Sequence, residues 1–329
     1  MRLRPLDSLI APCLAQRPDL PVLHMAPEAA IGRLAASAIR ASGPVPPESI
    51  ALRAGLALRA EDVVGAGPQS PVLVMDRPPA LVPGDVLPRG TDALLDPDSV
   101  QDQGAFLEIT DSAAPGLNIR RRGEDLAEGQ VILPAGGRVT PAHALAARMA
   151  ELETLPVFDL TASLDGFDPV LAALLAALLE ECGIRIGTGG MALFRLEPAR
   201  ETTPRLALQP GETGWLEPVE GGIRLEIPPR FDGALAMVLA VLLPILCHWT
   251  GARPFPQAGT LARKISAGLG STSIALLAEN AGQLTPLGIG EITLASWLAS
   301  AGYCVLPPGI EGFAAGATLA AHRLAPLLA

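Results

Sequence analysis

Lysine is all but missing: Lys264 is the only one in 329 residues, and every other basic residue counted in the charge is an arginine. The longest basic run is Arg120 to Arg122, and the formal net charge is −10. A nucleic-acid partner requires a basic face that neutralises phosphates, so that class of function is excluded. Aromatics are also scarce, at 3%, and the core must therefore be built from Ala, Leu, Val and Ile rather than from rings. Cys13, Cys182, Cys247 and Cys304 form no C-x-x-C pair. This excludes a zinc knuckle and a disulfide framework, and buried free thiols in a reducing compartment are expected.

His24, His143, His248 and His322 show neither H-x-x-H nor H-x-x-x-H spacing, so no histidine metal site is expected; three are placed on helices and the last on a terminal strand. There is no G-x-S-x-G elbow, and the stretch "GTGG" at 187–190 is not followed by the lysine and hydroxyl residue that end a phosphate loop and reads as a turn. Long apolar runs are missing as well. "PVLAALLAALL" and "ALAMVLAVLLPILC" are shorter than the ~20 residues a bilayer needs, and read as buried helices. Pro5 and Asp7 interrupt what a secretory signal would need, so a cytoplasmic protein with no membrane contact is expected.

What is present is a hydrophobic content of 49%, with 34 Gly and 33 Pro scattered in short clusters. Such a chain has ample material for a core and divides into several units rich in turns. Residues 1 to about 42 show apolar positions such as Ala29, Leu34, Ala35 and Ile39 at helical spacing, which predicts two helices, stopped by "SGPVPPES". From residue 50 to 134 short apolar runs ("SPVLVM", "ALVPGDVL", "AFLEI") alternate with Gly, Pro and Asp turns, the texture of a small β domain. "TPAHALAARMAEL" predicts a helix capped by Thr140 with Pro141 at its first position. A β run at 157–160, a helix between Asp168 and Gly183, strands in "ALFRLE", "RLALQP" and "IRLEI", and a long apolar helix from about 232 to 249 together read as an α/β layer. From residue 252 onward short strands and tight turns close the chain as a β domain.

The segment "GLNIRRRGEDLAEG", 116–129, concentrates charge in a chain that has little of it. One reading is a solvated turn whose charges pair among themselves. The other is a site, since guanidinium forks grip tetrahedral oxyanions bidentately and neighbouring carboxylates can orient those forks or hold a divalent cation.

This segment, with the following "QVILPAGGRVTPAHALAARMAEL", resembles the G-x-N-x-R-x-x-G-E-D signature of the MoeA/gephyrin E-domain family, the molybdopterin molybdenumtransferases. The resemblance is collinear: "APEAAIGRLAASAIRA" and "VPGDVLPRGTDALL" are similar to the family's upstream segments, and "LEIPPRFDGALAMVLAVLLPILCHWTGA" and the closing β region to its downstream ones. It implies α/β plus β architecture in an elongated, multidomain subunit. The parts would be a helical and extended N-terminal domain (1–50 and 135–156), an inserted β domain (51–134), a shortened α/β, MogA/MoaB-like domain of the molybdopterin-binding type (157–251) and a C-terminal β-barrel-like domain (252–329).

The resemblance further implies a homodimer with its cleft between subunits. The implied reaction takes adenylylated molybdopterin and molybdate, inserts molybdenum and releases AMP with help from a divalent cation such as Mg. Thr91, Arg120, Arg122 and Asp125 would face that cofactor and oxyanion. The departures are local. The family's S-A-M-D-G-Y-A motif aligns with "ALRAGLA", so Ala54 stands where an essential Asp is expected. The S-T-G-D-E-L strand end and the G-G-x-S-x-G-x-x-D loop have no counterpart, the stretch from 160 to 225 is short, and "PPRFDG" replaces a P-G-N-P turn. Three readings follow: a molybdopterin- or molybdoenzyme-binding protein without ordinary insertase turnover, a working insertase in which Glu48, Glu61 or Asp62 supplies the carboxylate, or a non-catalytic dimeric assembly module.

Overall fold

The computed structural model describes residues 3–187 and 192–329, so most of the "GTGG" turn lies outside the described residues. The chain folds as two compact units, one made of Met1–Ile39, Leu133–Ala144 and Thr154–Ala329, the other of Arg40–Ile132 and Leu145–Glu153.

In the first unit, helix α1 is Leu6–Ala15. The second helix expected before residue 42 does not form. Residues 26–33 make only turns, and the backbone N–H groups of Gly32, Ala35 and Ala36 bond instead to the carbonyls of Val139, Gly137 and Pro156. Tertiary backbone pairing outweighs the weak local periodicity there. His24, expected on a helix, sits on the strand Val22–Met25. That strand pairs antiparallel with Leu155–Phe158, so the run expected at 157–160 is the end of one ladder and the approach to another. The change of partner is set by long-range pairing and leaves no mark in the local pattern.

The other ladder is a five-stranded sheet of β1 (Thr161–Leu164), β2 (Arg185–Ile186), β3 (Phe194–Pro198), β4 (Trp215–Val219) and β5 (Gly222–Ile227). Its order is β2-β1-β3-β5-β4, parallel except for the antiparallel edge strand β4. Helix α2 is Pro141–Met149, and α3, Pro169–Glu181, makes the crossover from β1 to β2. The Asp168 carboxylate accepts from the N–H groups of Val170 and Leu171 at 3.0 and 3.1 Å, and Gly183, at φ +76°, lies just past the far end. Both are the caps expected from sequence. Leu171, Leu175, Leu178, Leu179 and Cys182 form one buried stripe, whereas Val170 is exposed, which is the amphipathic spacing of a covering helix.

Helix α4, Phe231–Thr250, is continuous for 20 residues with a π-helical turn at Val238–Leu242. Its mean hydropathy of 2.0 and its length suffice to cross a bilayer, more than the uninterrupted apolar run implied, but 78% of that window is buried inside the unit. Apolar on nearly every side, it is a core helix covered all round. Trp249 is 1% exposed, stacks on Phe194 of β3 at 5.7 Å between ring centroids, and donates its indole N–H to the Cys13 carbonyl at 3.2 Å. Six closing strands and the earlier Leu208–Gln209 form a seven-stranded sheet centred on Thr272–Asn280. Along that strand Ile274 and Leu276 face the cluster containing α4, and Ala275 and Leu277 face a separate cluster with Leu284, Cys304 and Leu306. Burial on both faces accounts for a run without polar alternation.

The second unit holds two three-stranded antiparallel sheets. In one, Gly55–Leu58 lies between Ala80–Leu81 and Ala93–Leu95; in the other, Leu107–Ile109 lies between Val72–Val74 and Val100–Asp102. Ala93 and Leu95 point into a cluster with Leu58, Val63 and Ile109, and Leu94 into one with Ala51, Ala57 and Ile119. The strand is thus covered on both sides, and the "ALL" of "GTDALL" is fully buried.

All four cysteines are free, with Cys13, Cys182 and Cys304 buried and Cys247 partly so. Burial pushes the thiols up from their ordinary value of 9.0, to about 11 for Cys13 and Cys247 and about 12 for Cys182 and Cys304. The unfolded chain therefore ionises first, and the stability these neutral thiols provide below pH 9 is lost as pH rises toward 11–12. At pH 8 about one thiol in 10³ or fewer is a thiolate, so a thiol reagent is expected to leave the native chain unlabelled over minutes and to label all four sites in denaturant. Trp249→Ala should lower stability by roughly 3–5 kcal/mol, read as a fall in the urea midpoint, whereas Leu298→Ala, at an 81% exposed residue, should change it by less than about 0.5 kcal/mol.

Candidate functional site

The arginine-rich segment is a turn that follows the short ladder of Ile50–Ala51 with Ile119–Arg120. Asn118 adopts φ +56°, a region that Asn tolerates better than most residues, and its side-chain amide donates to the Leu94 carbonyl at 3.1 Å. The Glu124 carboxylate accepts the Arg121 N–H at 2.7 Å and closes the turn. Gly123, at φ +71°, donates its N–H to the Pro46 carbonyl, and a Cβ there would stand 3.3 Å from the Pro44 Cβ. The G-x-N and G-E-D parts of the motif thus build the backbone path itself.

The three arginines all have partners. Arg120 pairs with Asp125, Arg121 donates to the Pro115 carbonyl at 3.0 Å, and Arg122 donates through Nε to the Pro47 carbonyl at 3.0 Å and through its N–H to Ser49 Oγ at 3.1 Å. Arg120 and Asp125 keep 40% and 33% of their side-chain surfaces exposed, so the pair is wet. Thr91 lies elsewhere in the same unit. Its hydroxyl donates to the Pro88 carbonyl at 2.8 Å, and it lines a cavity of about 440 Å³ with Arg59, Asp62, Asp76, Arg77 and Arg89. Of the four residues expected at the cleft, the fold brings Arg120 and Asp125 into contact, sets Arg122 on the adjoining strap 47–49, and places Thr91 in this separate cavity. Arg59 and Arg77 in that cavity pair with Glu61 and Asp102, and Arg77 holds the Asp102 carboxyl below the usual carboxylate range. Ala54 sits exposed in the turn between the strands Ile50–Ala51 and Gly55–Leu58.

In the first unit the carboxyl ends of β3 and β5 open onto a cleft of about 500 Å³. In open parallel sheets ligands bind at that edge. The "PPRFDG" turn forms its floor, and Arg230 grips Asp232 with two bonds of 2.7 and 3.2 Å while Asp232 also accepts the Gly233 N–H. A carboxylate in the first turn of α4 is favoured by the helix dipole. Against Arg200 and Arg230 stand Glu201, Glu212, Asp232 and Glu291, so the lining is acidic and disfavours an anionic ligand. Sequence reasoning did not single out Glu201, Glu212 or Glu291, which come together only through strand order. Among the described residues no three His, Cys, Asp or Glu side chains converge as metal ligands.

Because the turn is set by backbone geometry and the ion pair is solvated, Gly123→Ala should cost roughly 1–2 kcal/mol and Asp125→Asn less than about 1 kcal/mol, both measured by urea denaturation of the full chain.

Residues 5–150 match the family model for the MoeA N-terminal region, domains I and II. Molybdopterin molybdenumtransferase 2 of Mycobacterium tuberculosis is 36% identical over 122 residues, covering 31% of this chain and 30% of the relative. The molybdopterin molybdenumtransferase of Synechococcus elongatus is 29% identical over 123 residues, covering 32% of this chain and 30% of its own length. The chain thus spans under a third of the length of these curated relatives. In three dimensions the molybdopterin biosynthesis moeA protein of Pyrococcus horikoshii superimposes with a TM-score of 0.70 at 17% identity, covering 98% of this chain and all of that one. A molybdenum cofactor biosynthesis protein of Pyrococcus furiosus does so at 0.58 and 13%, with 98% of this chain and all of that one covered. Residues 5–150 thus carry the MoeA N-terminal region, domains I and II, and the chain along its length has the fold of the MoeA proteins.

Proposed function

We propose that this chain acts in molybdenum cofactor biosynthesis or handling, as a homodimer in the cytoplasm that binds molybdopterin, the finished cofactor or a molybdoenzyme partner without ordinary insertase turnover. The observation that carries this reading is Ala54. The residue stands exposed in the 52–54 turn, whose Leu52 N–H bonds to the Asn118 carbonyl at the start of the arginine segment. A methyl group there holds no proton and no cation, and general acid or base catalysis is typically worth ~10²–10⁴-fold in rate. The acidic lining of the cleft at the carboxyl ends of β3 and β5 disfavours molybdate there, which supports the lack of ordinary insertase turnover and, of the binding partners, favours a molybdoenzyme over the anionic pterin in that cleft. Molybdate is substrate in the family's reaction.

A working insertase is favoured by one feature: Asp62 lines the same cavity as Thr91, beside Arg59, Arg77 and Arg89. Glu61 is tied to Arg59, and Glu48 is exposed. The purified chain, given adenylylated molybdopterin and molybdate, is expected to release no AMP above background, and its gene is expected not to rescue a strain lacking the normal insertase despite good expression. Rescue that disappears in Asp62→Asn would replace the proposal with the working insertase. Dimerisation without any calorimetric heat from molybdopterin or from a molybdoenzyme would replace it with a pure assembly module.

A further inference from the structure

At the amino end of the α/β sheet, on the edge opposite the carboxyl-end cleft, three arginines from distant parts of the chain converge. Arg33 follows the 26–32 turns, Arg138 precedes α2, and Arg185 opens β2. With Gly32, Glu180, Gly183 and Ile184 they line a cavity of about 290 Å³. Arg185 donates to Asp159 at 2.5 Å, and the same Asp159 oxygen lies 3.7 Å from Arg33 Nη1, an ion pair too long for a hydrogen bond. Arg33 Nη1 and Arg138 Nε are both buried without any hydrogen-bond partner. Asp159 and Glu180 are the only carboxylates on these lining and pairing residues, so the three guanidiniums leave one positive charge uncompensated.

Buried donors in folded chains almost always find an acceptor, and an orphaned guanidinium N–H is more costly than a neutral one. Two such orphans in one cavity, beside a third arginine, call for a ligand of matching chemistry. Burial and the nearby Arg185 push the Arg33 guanidinium down, with Asp159 opposing, which is the signature of a cation short of negative charge. The backbone approaches closely as well: a Cβ on Gly183 would lie 3.2 Å from the Gly32 carbonyl oxygen, so a side chain there would press on the cavity wall.

We propose that Arg33, Arg138 and Arg185 form a binding site for a small tetrahedral oxyanion, held by the guanidinium groups of Arg33 and Arg138 while the Arg185 fork closes over the outer side. The site is separate from the arginine turn at 120–125 and does not depend on the reading of the carboxyl-end cleft. Its size lies at the low end of small-molecule pockets, roughly 300 Å³ and upward, and suits a free oxyanion or the phosphate end of a small ester. Bidentate guanidinium contacts are the usual means of holding such groups.

The test is isothermal calorimetry on the full chain at fixed ionic strength, with inorganic phosphate, molybdate and phenyl phosphate as probes. Saturable binding of at least one probe is expected, weakened about tenfold or more by Arg33→Gln and by Arg138→Gln. Arg17→Gln, an exposed residue outside the cavity carrying the same charge change, should leave it within twofold. Inorganic phosphate or molybdate binding without phenyl phosphate marks a free oxyanion as the ligand, and tighter binding of phenyl phosphate marks an ester. Where near-ultraviolet circular dichroism shows a buried-arginine variant to be unfolded, the half-exposed Arg185→Gln decides in its place, with the same loss expected. No saturable heat from any of the three probes, or binding unchanged in the folded cavity variants, overturns the proposal.

Discussion

The burial of helix α4 is the constraint on which the first unit depends. A 20-residue helix that is apolar on nearly every side cannot be left facing water along any stripe, so elements must cover it from several directions. The α/β sheet, α1, α3 and one face of the closing seven-stranded sheet do this, and their side chains merge into one cluster around it. Trp249 shows how the demand is met in detail, with its ring on Phe194 and its polar atom on the Cys13 carbonyl, so that burial leaves no donor orphaned. The closing sheet is fixed to the α/β core by the same need, since its central strand has apolar residues on both faces.

Charge is distributed in this fold with an economy that follows from the small number of ionisable groups. In the arginine-rich turn each guanidinium meets a carboxylate or a carbonyl, and the carboxylates help to shape the loop. At the carboxyl edge of the sheet, where parallel folds usually receive ligands, carboxylates outnumber arginines. At the opposite edge the balance reverses, and two guanidinium nitrogens are buried without acceptors. The two buried unpartnered guanidinium nitrogens of the first unit thus lie at the amino edge of the sheet rather than at the carboxyl edge.

Local sequence was enough for elements whose signals are local. The Asp168 cap, the Gly183 stop, the apolar stripe of α3, the long helix near 232–249 and the inertness of four isolated cysteines were all legible, because capping, periodicity and pairing chemistry act over a few residues. The family signature at 116–125 was legible too, because left-handed Asn118 and Gly123 and the turn-closing Glu124 leave a fixed spacing in the chain. The second helix expected before about residue 42 was not the outcome, since the N–H groups of Gly32, Ala35 and Ala36 found the carbonyls of Val139, Gly137 and Pro156, which lie far off in sequence.

What the sequence by itself determined is thus the resemblance of the scaffold and the helices and turns whose caps and periodicity are local, such as α3 and the 116–125 turn. Only the tertiary structure decided which charges meet: that Arg120 and Asp125 pair, that Thr91 lines another cavity, that Glu201, Glu212 and Glu291 gather at one edge of the sheet, and that Arg33, Arg138 and Arg185 gather at the other. The reason is physical. Backbone propensities and caps are interactions between near neighbours in the chain, whereas the field at a site is the sum over side chains that strand order alone brings within a few ångströms of one another.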